Sequence, residues 1–238
     1  MRFGLQNKKG PVRDSIIVTW KIMYNNLIKE LCSDREAMEK HLHEKLSGRI
    51  PRSFEYKKTP STEAAVLMPL FYKDGAAHLL FTKRTILVEH HKGQISFPGG
   101  KRDDTDESLA CTALRETEEE IGIKSKEVKI IGQTDRFLTN TGFMVTPFVG
   151  MIPFPYALNP NKVEIEKIIT VPLLYFFNER IFEIKPYEKD GEKWMVHYYY
   201  YQSEMIWGVT GFLLSNFLSI VFDLERNIAE YIKTNDDN

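Results

Sequence analysis

From Gly100 to Ile123 the chain reads GKRDDTDESLACTALRETEEEIGI, and its carboxylates are spaced for chemistry. On a helix, Glu116 lies three residues before Glu119 and four before Glu120. Their side chains then share one face, within an arc of about 100°. Ala110, Ala113, Leu114, Thr117 and Ile121 fall on a neighbouring face that can bury, and Glu118 points elsewhere. Like charges at these spacings repel and weaken a helix. A hard divalent cation such as Mg²⁺ or Mn²⁺ would neutralise them and hold them together. The same ion could bridge phosphate oxygens and activate water for attack on phosphorus. A solvated acidic face is the alternative for any run of glutamates. The flanks favour the ligand reading. A Gly99-Gly100 loop enters the segment, Arg115 directly precedes the first ligand candidate, and Gly122 ends it. Such features let a phosphate approach the backbone closely and fix where the helix lies.

The surrounding elements must position these groups. Residues 14–32 carry apolar groups at helical spacing, and Ser33-Asp34-Arg35-Glu36 reads as a capping box for a second helix ending near Ser47, with Gly48 as its stop. Residues 49–62, with Pro51 and Pro60, read as a linker. Strands are expected at 64–70 and 78–82 around a Lys73-Asp74-Gly75 turn, then near 128–131, 144–152, 164–171 and 194–201. The acidic helix is placed at 106–121, and a last helix at about 210–232. Strands and helices without strict alternation predict an α+β fold.

The acidic segment resembles the Nudix box, G-x5-E-x7-R-E-U-x-E-E-x-G-U, with U aliphatic. Residues Arg115 to Ile123 match its second half, with Thr117 at the first U. Six residues rather than five separate Gly100 from Glu107, so either Asp106 or Glu107 takes the first acidic role; the x7 spacing favours Glu107. The resemblance implies a Nudix-like α/β/α sandwich with a mixed sheet over residues 61–238, preceded by a helical extension over 1–60. It implies Glu116, Glu119 and Glu120 as ligands of Mg²⁺ or Mn²⁺, with Gly100 offering its backbone nearby. Arg115 would pair with the first acidic residue. Glu119 and Glu120 would carry catalysis, and the general base would be Glu120, Glu164, Glu166 or His91.

Upstream, Leu80 to Gly100 resembles the signature of the coenzyme A pyrophosphatase branch, LLTxRS-x3-R-x3-G-x3-FPGG, through Thr82, Arg84, Gly93, Phe97, Pro98, Gly99 and Gly100. Phe81 and Thr85 are mild departures, whereas Glu89 stands where the pattern has Arg. Residues 141–150, Glu164-Ile165 with Val171-Pro172-Leu173, and Ile206 to Thr210 resemble later segments of that branch. The resemblance implies cleavage of the diphosphate of coenzyme A, or of its thioesters, to 3′,5′-ADP and 4′-phosphopantetheine. Arg84, His91, Gly93, Gly99 and Lys101 would bind the substrate, with Lys92 and Arg102 near them. The charge reversal at Glu89 keeps other nucleoside diphosphate derivatives open, ADP-ribose and dinucleotides among them. A catalytically silent binding module of the same fold is a third reading, opposed by the intact Arg115-Glu116 and Glu119-Glu120 pairs.

The bulk properties agree with a globular enzyme. The 238 residues are 42% hydrophobic and 27% charged, with a net charge of −1, so nothing global steers the chain to nucleic acid. Cys32 and Cys111 form no CxxC pair and are expected as reduced thiols of a cytoplasmic protein. Residues 1–14 contain no apolar signal-peptide run. Residues 205–222 are nearly long enough to span a bilayer, but Thr210, Ser215, Asn216 and Ser219 interrupt them, so a buried helix and no membrane partner are expected. The tyrosines at 198–201 read as a half-buried strand or as an adenine stack. The N-terminal helices would either make a homodimer contact or cover the sheet.

Overall fold

The computed structural model describes residues 11–55, 61–86, 92–189 and 191–226. Four helices are present among them: α1 (Pro11–Ser33), α2 (Arg35–Leu46), α3 (Leu109–Ile121) and α4 (Gly208–Phe222). The strands are β1 (Ser53–Phe54), β2 (Thr62–Lys73), β3 (Ala76–Arg84), β4 (Ile95–Ser96), β5 (Gly99–Lys101), β6 (Lys129–Gln133), β7 (Arg136–Leu138), β8 (Phe143–Met151), β9 (Ile165–Pro172), β10 (Phe182–Lys189), β11 (Glu192–Tyr201) and β12 (Glu204–Trp207).

β2 organises the molecule. Its odd residues Ala65, Leu67 and Phe71 pack with Ala113 and Ile121 of α3, while Ala64, Met68 and Leu70 enter the larger core with α1, α2 and α4. That alternation is the period-two geometry of a strand buried on both faces. A nine-stranded mixed sheet therefore lies between helices, with β2 parallel to β8 and antiparallel to β3, and the chain is an α+β sandwich. Asp74 and Gly75 both have positive φ, 52° and 73°, and close the β2–β3 hairpin in two residues. Those signs suit the right-handed twist of the strands, and Asp-Gly supplies them at low cost. A smaller antiparallel sheet, β10-β11-β12, packs near α4.

Several boundaries differ from the sequence expectations. The cap of α2 is Asp34, whose side chain accepts from the Ala37 amide at 3.0 Å, whereas Ser33 still belongs to α1 and donates to the Glu30 carbonyl. The expected linker contains β1, which pairs in parallel with β7; residues 56–60 lie outside the described residues. The acidic helix starts at Leu109, capped by Ser108, so Asp106 and Glu107 precede it. The last helix ends at Phe222, where Asp223 turns to φ 53°, and residues 227–232 of the expected helix lie outside the described residues. β10 was not anticipated, because its polar sequence FEIKPYEK, with a central Pro186, carries little strand signal.

Residues 205–222 divide into the end of β12 and α4, which is buried almost all round, and no described helix is long and apolar enough to cross a membrane. Residues 198–201 form a strand in which Tyr199 is buried and shares a hydrogen bond of 2.8 Å with Ser215, and Tyr198 stacks on Trp207. Cys32 and Cys111 are both free thiols. Ile28, Leu31 and Cys32 of α1 and Met38, Leu42 and Leu46 of α2 are buried in the larger core. The Tyr72 hydroxyl of β2 lies 2.8 Å from the Leu31 carbonyl and 2.9 Å from that of Asp34, tying the junction of α1 and α2 to the sheet.

Candidate active site

α3 begins where Ser108 caps its first turn, accepting from the Cys111 amide at 3.2 Å, and ends where Gly122 takes φ 79° and donates to the Glu118 carbonyl. Gly is favoured at such a left-handed stop because it lacks a Cβ. Thr112, Ala113, Thr117 and Ile121 face the sheet and fix the rotation of the helix. Glu118 points away from the other glutamates, as expected, and binds Lys124 and Ser125, which lowers its pKa to about 2.

β5 brings Gly99 and Gly100 alongside α3. An added Cβ on Gly99 would stand 2.3 Å from the Ala65 carbonyl oxygen, and one on Gly100 would stand 2.5 Å from the Glu116 carboxylate. The glycines are therefore what allow β5 to pair with β2 and Glu116 to lie on the loop backbone. Phe97 stacks on Phe81 at 4.6 Å and anchors the loop from below. Gly93 sits at φ 67° in the turn that returns the chain to β4, and the Gln94 carbonyl accepts from the Arg84 amide at 2.9 Å.

The loop-to-helix turn corrects one expectation. Arg115 pairs with Asp106, not Glu107: Nε and Nη2 each lie 3.0 Å from a carboxylate oxygen of Asp106. Asp106 is 7% exposed and also accepts from Thr112 Oγ1 and from the Asp103 amide, both at 2.9 Å. The Arg115 guanidinium and these bonds hold its carboxyl well below the usual carboxylate range. Counting five residues from Gly100 reaches Asp106, and that count was the signal to follow; the extra residue lies between Asp106 and Arg115. Arg115 also donates to the Lys101 carbonyl at 3.1 Å, so it knits β5, the loop and α3 together.

The other three carboxylates of α3 stand in different environments. Glu119 is exposed and lies 3.1 Å from Arg115. Glu116 is partly buried, 2.9 Å from Arg115, and burial raises its pKa. Glu120 is 4% exposed; Oε1 lies 3.2 Å from Arg84, and the buried Oε2 has no hydrogen-bond partner. Burial pushes Glu120 up to about 8, against the lowering effect of Arg84 and with the help of Glu116 and Glu164. Removing a charge from water without full compensation disfavours the charged form in this way.

Glu164, just before β9, joins them through Arg84 Nη2 at 3.3 Å. Asn161 makes this possible: its amide donates to the Glu120 carbonyl at 2.9 Å and its carbonyl accepts from the amides of Glu164 and Ile165. Nothing in the sequence marked Asn161, which acts through its backbone and, at longer range, through its side-chain amide, 3.5 Å from Glu164 Oε1. Glu166 does not reach this site and pairs with Lys83 at 3.5 Å. Lys101 is exposed at the rim beside Gly100, while Arg102 is turned to Glu63 at 2.9 Å. His91 and Glu89 lie outside the described residues. Glu116, Glu119, Glu120, Arg115, Glu164, Arg84, Gly99 and Gly100 are thus gathered along the second half of α3. Arginines neutralise much of the acidic charge, and among the described residues no three Asp, Glu, His or Cys side chains form a ready-made metal cage.

The model of the NUDIX domain matches residues 61–195. A Photorhabdus laumondii protein named uncharacterized Nudix hydrolase NudL is 37% identical over 151 residues, covering 63% of this chain and 80% of that one. The mouse peroxisomal coenzyme A diphosphatase NUDT7 is 29% identical over 174 residues, covering 72% of this chain and 74% of that one. A C. elegans Ap4A hydrolase in a binary complex superposes with a TM-score of 0.40 at 19% identity, over 47% of this chain and 80% of that one. The chain therefore belongs to the Nudix family, as a hydrolase acting on a diphosphate.

Proposed function

We propose that the enzyme cleaves the diphosphate of coenzyme A or of its thioesters, releasing 3′,5′-ADP and 4′-phosphopantetheine in a reaction that needs Mg²⁺ or Mn²⁺. The observation that carries the reading is the convergence of Glu116, Glu120 and Glu164 beside Gly99 and Gly100, with one buried oxygen of Glu120 left without a partner. The substrate class is supported by the 82–100 signature and by similarity to a protein named coenzyme A diphosphatase.

The donor set fits a hard divalent cation. Its oxygens are carboxylates and a backbone carbonyl, and the uncompensated Glu120 oxygen is where positive charge would be most stabilising. Glu116, Glu119, Glu120 and the Gly100 carbonyl would hold it. When bound, the ion would polarise the diphosphate and lower the pKa of water. The chain's own groups do the rest. The Gly99–Gly100 backbone lets β2 and the Glu116 carboxylate lie directly against the loop, and Lys101 offers a cation at the rim. Gly93, at φ 67°, turns the chain back into β4 and so sets the loop ahead of the glycines. Arg115 keeps α3 and its glutamates in register with β5. Glu164 is 43% exposed, so water reaches it, and its Oε1 has only a long contact of 3.5 Å, to Asn161. It accepts the proton of the attacking water as the new oxygen–phosphorus bond forms and the bridging oxygen leaves on the other phosphate.

A product assay by mass spectrometry tests this, with coenzyme A, ADP-ribose and NADH in parallel and with Mg²⁺, Mn²⁺ or chelator. Metal-dependent 3′,5′-ADP and 4′-phosphopantetheine from coenzyme A is the expected result. Hydrolysis of ADP-ribose or NADH but not coenzyme A would reject the substrate and leave the site standing. Turnover undiminished by chelator would reject the metal.

A further inference from the structure

We propose that Arg84 is a positioning residue: its guanidinium fork spans Glu120 and Glu164 and brings these carboxylates of different elements to one point, rather than gripping the diphosphate. The inference rests on the reading of this cluster as the hydrolytic site.

Arg84 is the last residue of β3, and the β3–β9 pairing shifts register between Lys83 and Arg84, so that Arg84 faces Ile165 after Lys83 has faced Lys167. Such irregularities re-aim a side chain. The backbone around Arg84 is pinned on both sides. Its own amide donates to the Gln94 carbonyl at 2.9 Å, and Thr85 donates from its amide to the Glu164 carbonyl at 2.7 Å and from its hydroxyl to the Val163 carbonyl at 2.8 Å. The side chain is 23% exposed, and its two terminal nitrogens are divided, Nη1 to Glu120 at 3.2 Å and Nη2 to Glu164 at 3.3 Å.

A planar guanidinium suits this task because its donors point in fixed directions, which the single ammonium of Lys does not reproduce. Two carboxylates brought so close would repel without a cation between them. With one terminal nitrogen committed to each carboxylate, neither pair of fork donors is free to grip a diphosphate oxygen in bidentate fashion. The fork leaves Glu120 Oε2 unpartnered while holding Oε1. Arg84 therefore fixes which oxygen of Glu120 is available and where Glu164 stands.

The test uses the full chain with Arg84→Gln, Arg84→Lys, Glu120→Gln and Arg84→Gln/Glu120→Gln. In chelator and without substrate, urea unfolding at pH 9, where the Glu120 carboxylate is mostly charged, reads the contact. Arg84→Gln is expected to lower the midpoint, and adding Glu120→Gln to restore it, because the buried charge left behind is then gone. Turnover reads the role. With whichever of coenzyme A, ADP-ribose or NADH the product assay identifies, Arg84→Gln is expected to lower kcat about a hundredfold while KM changes less than about threefold, with Arg84→Lys in between. Additive effects of Arg84→Gln and Glu120→Gln in unfolding would overturn the proposal. So would a KM raised tenfold or more with kcat intact, since that marks a group that binds substrate. Undiminished turnover by Glu120→Gln would reject the site itself, and with it a positioning role, whatever the unfolding data say.

Discussion

Replacing Glu120 by Gln separates the cost of a buried charge from its use. The side chain is 4% exposed, one oxygen has no partner, and burial pushes its pKa from 4.5 up to about 8. A group whose pKa is raised by folding favours the fold fully below its unfolded value, and that support is lost as the pH climbs through the folded value. The loss here accrues between 4.5 and about 8. At about 1.36 kcal/mol per pH unit, the gap of about 3.5 units sets a ceiling of about 5 kcal/mol. Gln keeps the shape and the contact with Arg84 but never ionises. Its advantage in unfolding free energy is expected to be about 1 kcal/mol at pH 5, about 3 kcal/mol at pH 7 and about 5 kcal/mol at pH 9. Urea unfolding in chelator at those three pH values measures it. Added Mg²⁺ should narrow the gap, because a cation bound to the native state stabilises the charged wild type. Turnover by the variant should be nearly abolished, so stability rises as activity disappears. An advantage that stays flat from pH 5 to pH 9 would refute the reasoning, since the charge would then not be penalised by the fold.

Other substitutions probe the remaining assignments. Asp106→Asn breaks the bidentate bond to Arg115 and should lower the unfolding free energy by about 3 kcal/mol, whereas Glu107→Gln should stay within about 0.5 kcal/mol; equal losses in urea titrations would restore Glu107 to the first acidic role. Because the Asp106 pKa is depressed by folding, its support is present above the usual Asp range and lost as pH falls through the folded value, so the difference between wild type and Asp106→Asn should shrink in acid unfolding below about pH 4. Gly100→Ala should force the Glu116 carboxylate aside and reduce kcat with little change in melting temperature; full activity would mean that this close approach is dispensable. Glu164→Gln should lower kcat by about 10²–10⁴-fold and Glu166→Gln by less than about twofold, and the reverse order in initial-rate measurements would exchange their roles.

The elements nearest the chemistry were legible because their signals are local. Helical periodicity and the Gly122 stop mark α3, the Asp74-Gly75 pair marks the hairpin, and the apolar run of β2 marks a strand buried on both faces. Signals that depend on a distant partner were weaker. β10 gains its pairing from β11, α4 stops where Asp223 turns, and the start of α2 moved by one residue to Asp34.

The same division holds in the site. The sequence alone determined the family pattern, the acidic helix, the Gly-Gly approach to it and the candidate ligands, because spacing along one helix fixes which side chains share a face. Only the tertiary structure decided that Asp106 rather than Glu107 meets Arg115, since that depends on how the turn before α3 folds back on it. It also decided that Glu164 rather than Glu166 joins Glu120, a matter of where β9 starts its pairing with β3. Burial made that choice consequential: in water Glu116, Glu119 and Glu120 would be nearly equivalent, whereas packing against the sheet leaves Glu119 exposed and Glu120 with a charge that the protein only half satisfies.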